Sequence, residues 1–256
     1  MAEKHTSESV RKWLGYLFPA ELPALKELAQ SLPDNPTVIN IGAGGGTSGL
    51  AFMESRPDLT LYTIDTVDES SPFGCLEGER VVMASAGFGK ELGKRWHQIH
   101  GDSKEAGATW KHGPVDLVFV DGEHSYEGCK ADVEAWLPHI KDGGIIAVHD
   151  YDKSDIKPAA DGYHADGPHP QDWPGIDTAI HELLLGKYDT ITQVDSLIAF
   201  RVTGAKDAKV QQAVSDDSST RKPSRDSGRD VAVSQKDNRS AAQHRKRGRV
   251  QTNKKA

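Results

Sequence analysis

The sequence predicts an α/β fold: a doubly wound, mostly parallel sheet of seven strands with an antiparallel edge strand. Short apolar runs rich in β-branched residues alternate with helix-length stretches along most of the chain, as in parallel sheets covered on both faces. Two of these runs end in charged residues, as strands do where they open into a ligand crevice. The last two runs, 188–193 and 196–202, are so close that only a tight antiparallel turn can join them.

The first half of the chain supplies three strands of this sheet. Amphipathic helices are predicted over 13–18 and 19–32, because leucines recur near helical spacing. The remaining predicted elements are a strand at 37–41, a glycine turn at 42–46 with a helix capped by Thr47 or Ser48, a strand at 59–64 ending at Asp65, a helix around 89–97, and a strand at 98–100.

The second half continues the alternation and adds four strands. A helix begins at Ser103, and the strand at 115–120 leads to Asp121. The remaining predicted elements are a helix at 126–140 stopped by the polar and glycine residues 141–144, a strand at 145–148 leading to His149 and Asp150, a helix at 176–185, and the two closing strands.

Charge and composition divide the 256 residues into a folded body and a tail. We predict a helical segment at 1–35, one domain at 36–203, and a disordered tail at 204–256. Residues 1–203 carry 17 Lys and Arg against 32 Asp and Glu, whereas residues 204–256 carry 14 against 6 and no aromatic residue. A basic tail can bind nucleic acid, but the acidic body would repel phosphate, so we disfavour that partner.

The composition also bears on location. No apolar run approaches the roughly 18 residues of a membrane span, and the charged start lacks the apolar core of a signal peptide. The two cysteines, Cys75 and Cys129, give neither a disulfide framework nor zinc-site spacing. We therefore expect a cytoplasmic protein without a membrane partner.

The glycine turn and Asp65 point to an adenosine-containing cofactor. Backbone amides at a glycine-rich helix start can hold a ligand closely, and an acidic side chain after the second strand can hold ribose hydroxyls. Gly44, Gly46 and Gly49 also satisfy the dinucleotide pattern, so an NAD(P)-dependent oxidoreductase is an alternative at this stage.

Asp121 and Asp150 are predicted to share one site, because the carboxyl ends of neighbouring parallel strands meet at the same edge of a sheet. Two carboxylates can bind a divalent cation, which lowers the pKa of a bound hydroxyl group, and a nearby histidine can then accept the proton. His124, three residues after Asp121, is placed to do so.

Five segments carry a resemblance to a known family: 40–48, 62–65, 101–103, 121–126 and 143–151. They resemble class I S-adenosylmethionine-dependent methyltransferases, in particular the group that includes macrolide-sugar O-methyltransferases. The resemblance covers about residues 36–202 and implies the Rossmann-like methyltransferase fold. It implies methyl transfer to the hydroxyl of a small molecule, which a sugar would satisfy.

The resemblance also implies site roles. Gly42, Gly44 and Gly46 would wrap the methionine part of the cofactor, and Asp65 would hold the ribose. Asp102 and Ser103 would lie near the adenine. Asn40 departs from the family pattern, which has an acidic residue there, so contacts to the cofactor's amino group would differ.

At the other end of the site, the resemblance makes Asp121 and Asp150 metal ligands and His124 the base. His149 stands where relatives often have a further acidic ligand. Imidazole suits Mg²⁺ poorly and accommodates manganese, iron or zinc, so the sequence leaves the identity of the metal open, with Mg²⁺ or Mn²⁺ as the named candidates. The long connector after Tyr151, with Tyr163, His164, His169 and Trp173, is predicted to help define the acceptor pocket.

Overall fold

A computed structural model describes residues 4–12, 17–66, 75–151 and 174–204. It contains a seven-stranded sheet in the order β3-β2-β1-β4-β5-β7-β6. The strands are β1 (Thr37–Ile41), β2 (Thr60–Asp65), β3 (Trp96–His100), β4 (Val115–Val120), β5 (Ile140–Val148), β6 (Asp189–Val194) and β7 (Leu197–Val202). The first five strands pair in parallel, and β7 runs antiparallel to both β5 and β6. The predicted fold class is confirmed.

Helices cover both faces of the sheet. They are α1 (Ser7–Arg11), α2 (Glu21–Gln30), α3 (Thr47–Ser55), α4 (Cys75–Ser85), α5 (Ser103–Ala108), α6 (Tyr126–Trp136) and α7 (Pro174–Leu183). Alternate residues of β4 enter two separate apolar clusters, Leu117 and Phe119 on the side of α2 and α3, and Val118 and Val120 on the side of α6 and α7. This alternation is why the strand is apolar along almost its whole length.

Several element predictions were wrong in detail. Residues 17 and 18 of the first expected helix are not helical, and β5 begins at Ile140 rather than at residue 145. No α-helix lies over 89–97: α4 ends before it at Ser85, and a short 3-10 turn at Gly89–Glu91 follows. Gly87 and Gly93 have left-handed φ values of 91° and 76°, which end helical structure, and the buried Trp96 then begins β3. The helix expected over 126–140 ends at Trp136, because Pro138 lies in a 3-10 turn before β5.

Several predictions lie outside the described residues. They concern residues 13–16 of the first expected helix, residues 152–173 of the expected acceptor loop, and residues 205–256 of the tail. The division into three segments stays a prediction. Within the described ranges, no helix combines the length and the apolar content that crossing a membrane requires.

The turn after β1 presses against the residue that follows β4. Gly42 has a φ of 88°, and its amide donates to the carbonyl of Ile64 at 2.9 Å. A Cβ atom on Gly42 would lie 1.9 Å from the backbone oxygen of Asp121. Only glycine fits there, so this contact fixes the distance between the glycine turn and the end of β4.

We therefore expect Gly42→Ala to lower the free energy of unfolding by about 2–4 kcal/mol, from the clash and the unfavourable φ together. Gly44→Ala is the matched control, because nothing lies within 4 Å of a Cβ atom at Gly44. It should cost about 1 kcal/mol, from backbone strain alone. Urea unfolding of both variants is the measurement, and equal losses would contradict the close approach.

Glu79 of α4 is a buried carboxyl group beneath the glycine turn. It accepts hydrogen bonds of 2.7 Å from the Thr63 hydroxyl and from the Gln98 amide, and its Cα would lie 3.0 Å from a Cβ atom on Gly46. Burial raises the pKa of Glu79 from 4.5 to about 7, because the charged form loses its hydration. The folded protein therefore binds a proton that the unfolded chain releases at lower pH.

The contribution of Glu79 to stability should be complete below about pH 4.5 and lost as the pH rises to about 7. Between pH 5.5 and pH 8 this amounts to about 2 kcal/mol. We expect Glu79→Gln to remove that part of the pH dependence, as measured by urea unfolding at both pH values. Parallel pH profiles of wild type and variant would refute the elevated pKa.

Candidate active site

The register of β4 and β5 places Asp121 and Asp150 at the same edge of the sheet. Val120 pairs with Val148, and the amide of His149 donates to the carbonyl of Val120 at 3.0 Å. The predicted neighbourhood of the two strand ends is confirmed. Asp150 has a φ of 66°, a left-handed conformation that aspartate adopts more readily than most residues.

Asp121, His124 and Asp150 form a cluster that can hold a metal ion. One ligand atom of each lies within 4.8 Å of the others. His124 Nε2 is 2.9 Å from Asp150 Oδ2 and 4.0 Å from Asp121 Oδ1. Carboxylate oxygens and an imidazole nitrogen at these spacings suit a divalent cation.

His149 lies behind this cluster, and both of its ring nitrogens lie close to carboxylate oxygens. Its Nδ1 is 3.1 Å from both Asp121 Oδ1 and Asp150 Oδ1, and its Nε2 is 2.9 Å from Glu21 Oε2. Burial would lower the pKa of His149, but the negative charges of Glu21 and Asp121 outweigh burial and raise it well above the ordinary value. Carboxylates on both sides of the ring therefore favour its charged form.

Glu21 is a site residue that sequence reasoning missed. It lies 128 positions before His149, and a glutamate at the start of an amphipathic helix is normally solvated. The structure leaves it 0% exposed. No local pattern in the sequence could have indicated this contact, because the packing of α2 over the sheet creates it.

A cavity of about 490 Å³ lies beside the acidic cluster. Four predicted cofactor residues line it, namely Gly42, Asp65, Asp102 and Ser103. His124 also lines it, and its Nε2 lies 2.9 Å from Asp150 Oδ2, so the cavity and the acidic cluster are adjacent. The volume is typical of sites that enclose a small molecule. Gly44 and Gly46 belong to the adjoining turn and are not lining residues.

The glycine turn has features of a polar ligand site. Asp65 Oδ2 accepts a hydrogen bond of 2.6 Å from the amide of Ala43, and burial raises the pKa of Asp65. Within the described ranges, the buried amide of Asn40 and the buried hydroxyl of Thr47 lack a hydrogen-bond partner. Buried polar groups without partners are costly, so their presence beside the turn fits a ligand that supplies the missing bonds.

The far wall of the cavity contains a second missed residue, Asp132 of α6. It is 4% exposed, accepts a hydrogen bond from the Ser103 hydroxyl, and burial raises its pKa to about 6. An acidic residue next to Val133 on the buried face of a predicted helix is a signal that could have indicated it. Asp102 caps α5, accepting a 2.8 Å hydrogen bond from the amide of Lys104.

Comparison with known proteins agrees with this architecture. Residues 39–151 match the family described as a methyltransferase domain. A search of curated protein sequences found no match. The matched segment begins in β1 and ends just after Asp150, so it contains the glycine turn, the cluster and His149 but not Glu21.

Solved structures share the fold at low sequence identity. A candidate caffeoyl-CoA O-methyltransferase from Staphylococcus aureus aligns with a TM-score of 0.57 and 17% identity over 77% of this chain and 93% of its own. The O-methyltransferase TomG from Streptomyces achromogenes, in complex with SAM, aligns with a TM-score of 0.52 and 21% identity over 73% of this chain and 82% of its own. An O-methyltransferase from Bacillus cereus, in complex with SAH, aligns with a TM-score of 0.52 and 15% identity over 77% of this chain and 87% of its own.

These similarities establish the fold. The strand order found here, with an antiparallel β7 between β5 and β6, is that of the Rossmann-like methyltransferase fold. The chain thus has this fold, and residues 39–151 within it match a methyltransferase domain.

Proposed function

We propose that the protein transfers the methyl group of S-adenosylmethionine to a hydroxyl of a small molecule, assisted by a divalent cation. One observation carries the proposal: His124 lines the same cavity as Gly42 and Asp65, and its Nε2 lies 2.9 Å from Asp150 Oδ2 and 4.0 Å from Asp121 Oδ1. This arrangement places a cofactor site and a hydroxyl-activating site next to each other. The similar proteins that carry SAM or SAH support the choice of cofactor.

The cofactor would occupy the cavity and the glycine turn. Gly42, Gly44 and Gly46 would wrap the methionine part, and the open space over Gly44 leaves room for it. Asp65 already uses Oδ2 on the amide of Ala43, so Oδ1 would accept the ribose hydroxyls. Asp102 and Ser103, on the lining of the cavity, would lie near the adenine.

The cation would be held by Asp121, Asp150 and His149, and Mg²⁺ and Mn²⁺ are the two candidates. The donor set fits, because His149 Nδ1 is equally close to a carboxylate oxygen of each aspartate. When bound, such a cation lowers the pKa of a coordinated hydroxyl and orients it. His124 is an alternative third ligand, since its Nε2 also lies near both aspartates.

His124 would act as the base. It lines the cavity, and the hydrogen bond to Asp150 orients its ring. The acceptor oxygen would attack the methyl carbon as the carbon–sulfur bond breaks, the proton of the hydroxyl would pass to His124, and S-adenosylhomocysteine would leave. The acceptor class is a small hydroxylated molecule, for which the similar O-methyltransferases give support. A sugar hydroxyl is the narrower proposal.

Binding measurements test the two halves of the site without a known acceptor. We expect Asp65→Ala to weaken S-adenosylhomocysteine binding by about 10- to 100-fold, because a hydrogen bond to a charged group is lost. Asp58→Ala is the matched control, because Asp58 precedes the opposite end of β2 and pairs with Arg56. Asp121→Ala should abolish Mn²⁺ binding. Calorimetry that finds both ligands bound normally in both site variants would refute the assignment.

The roles of the two histidines can be separated. We expect His149→Asn to weaken Mn²⁺ binding at least tenfold, by loss of a ligand, and His124→Gln to change it by less than about 3-fold. His124→Gln should instead lower turnover by about 10²- to 10⁴-fold, as loss of a general base does. Turnover is measured as S-adenosylhomocysteine release with an acceptor found by screening hydroxylated small molecules. The reverse pattern of Mn²⁺ affinities would make His124 the ligand.

A further inference from the structure

Glu21 connects the N-terminal helix α2 to the acidic cluster through a set of buried hydrogen bonds. Its Oε1 accepts from the amide and the hydroxyl of Ser196, both at 2.7 Å. Its Oε2 accepts from the amide of Phe18 at 2.7 Å and lies 2.9 Å from His149 Nε2. Both carboxylate oxygens are thus fixed by donors from three separate parts of the chain.

This arrangement dictates which nitrogen of His149 faces the aspartates. A carboxylate only accepts hydrogen bonds, so Nε2 must carry a hydrogen toward Glu21. The ring is 2% exposed and lies beside Phe119, with ring centroids 6.3 Å apart. Because the ring is enclosed and anchored at Nε2, its Nδ1 is directed at Asp121 Oδ1 and Asp150 Oδ1.

We propose that Glu21 is a positioning residue for the cation site, acting through His149, and that the site it creates prefers a borderline ion such as Mn²⁺ to Mg²⁺. The inference rests on the proposed metal-assisted function. Histidines that bind metals usually donate their second ring N–H to a carboxylate, which fixes the tautomer and the ring orientation. The Glu21–His149 pair has this geometry, and an imidazole donor disfavours Mg²⁺.

The proposal gives the N-terminal segment a role in the site. Glu21 begins α2, and Ser196 lies between β6 and β7, so two elements remote in sequence from His149 hold it from behind. The buried carboxylate of Glu21 is destabilising unless it is paired, and its partner is His149, which in turn contacts Asp121 and Asp150.

Mn²⁺ binding to the full chain, followed by the electron paramagnetic resonance signal of free Mn²⁺ and by competition with Mg²⁺, tests the proposal. Wild type should bind Mn²⁺ more tightly than Mg²⁺. Glu21→Gln should weaken Mn²⁺ binding by about 10- to 100-fold, as loss of such supporting groups does. Glu79→Gln is the matched control, because Glu79 is equally buried but bonds to Thr63 and Gln98 instead. It should change Mn²⁺ affinity by less than about 3-fold.

A double-mutant cycle distinguishes positioning from general destabilisation. In the His149→Asn background, Glu21→Gln should weaken Mn²⁺ binding further by less than about 3-fold, because the imidazole ring that Glu21 orients is already absent. A full additional loss in that background, or an unchanged Mn²⁺ affinity in folded Glu21→Gln, would overturn the proposal. A wild type that prefers Mg²⁺ would overturn its second part.

Two further outcomes are decisive. If Glu21→Gln does not fold, Ser196→Ala takes its place, since it removes a hydroxyl that donates to Glu21 and lies 3.2 Å from His149 Nε2. A weaker Mn²⁺ affinity in that variant supports the proposal, and an unchanged affinity overturns it. A wild type that binds S-adenosylhomocysteine but no Mn²⁺ would instead refute the metal-assisted function itself.

Discussion

The parallel pairing of β4 with β5 is the constraint on which the rest of the site depends. Because Val120 pairs with Val148, the residues that follow the two strands, Asp121 and the His149–Asp150 pair, lie at the same edge of the sheet. A shift of one residue would turn Asp121 away from its partner, because successive strand residues face opposite sides. The buried apolar side chains of β4 on both faces hold this register, so packing of the core sets the geometry of the charged cluster.

The charged cluster is stable only because it is mutually compensated. Three carboxylates, those of Glu21, Asp121 and Asp150, surround one imidazolium in a region where His149 and Glu21 have almost no exposure. Burial would raise the pKa of Glu21, but the charge of His149 outweighs burial and lowers it. Isolated charges of this kind would be destabilising by several kcal/mol each, on the order of the net stability of a domain. Such an arrangement therefore indicates that the chain retains the charges for a reason other than stability.

In the proposed function, the cavity would hold the cofactor and the acidic cluster would carry the chemistry, and His124 lies next to both. The close contact of Gly42 with the backbone of Asp121 sets the distance between the glycine turn and the acidic cluster. Methyl transfer requires two reacting atoms to be held in line at short distance, which a rigid contact of this kind favours. The cover supplied by α2 completes the arrangement from the opposite side.

The sequence by itself determined the alternation of strands and helices, the glycine turn, and the charged ends of β4 and β5, because these are local patterns of period, turn chemistry and spacing. It misplaced the helix before β3, where glycines and a buried tryptophan override a weak helical pattern. Only the tertiary structure decided the contact of Glu21 with His149 and the place of Asp132 in the cavity wall beside Ser103. Both depend on how distant elements pack, and the packing of a helix on a sheet is a property of the whole core rather than of any segment.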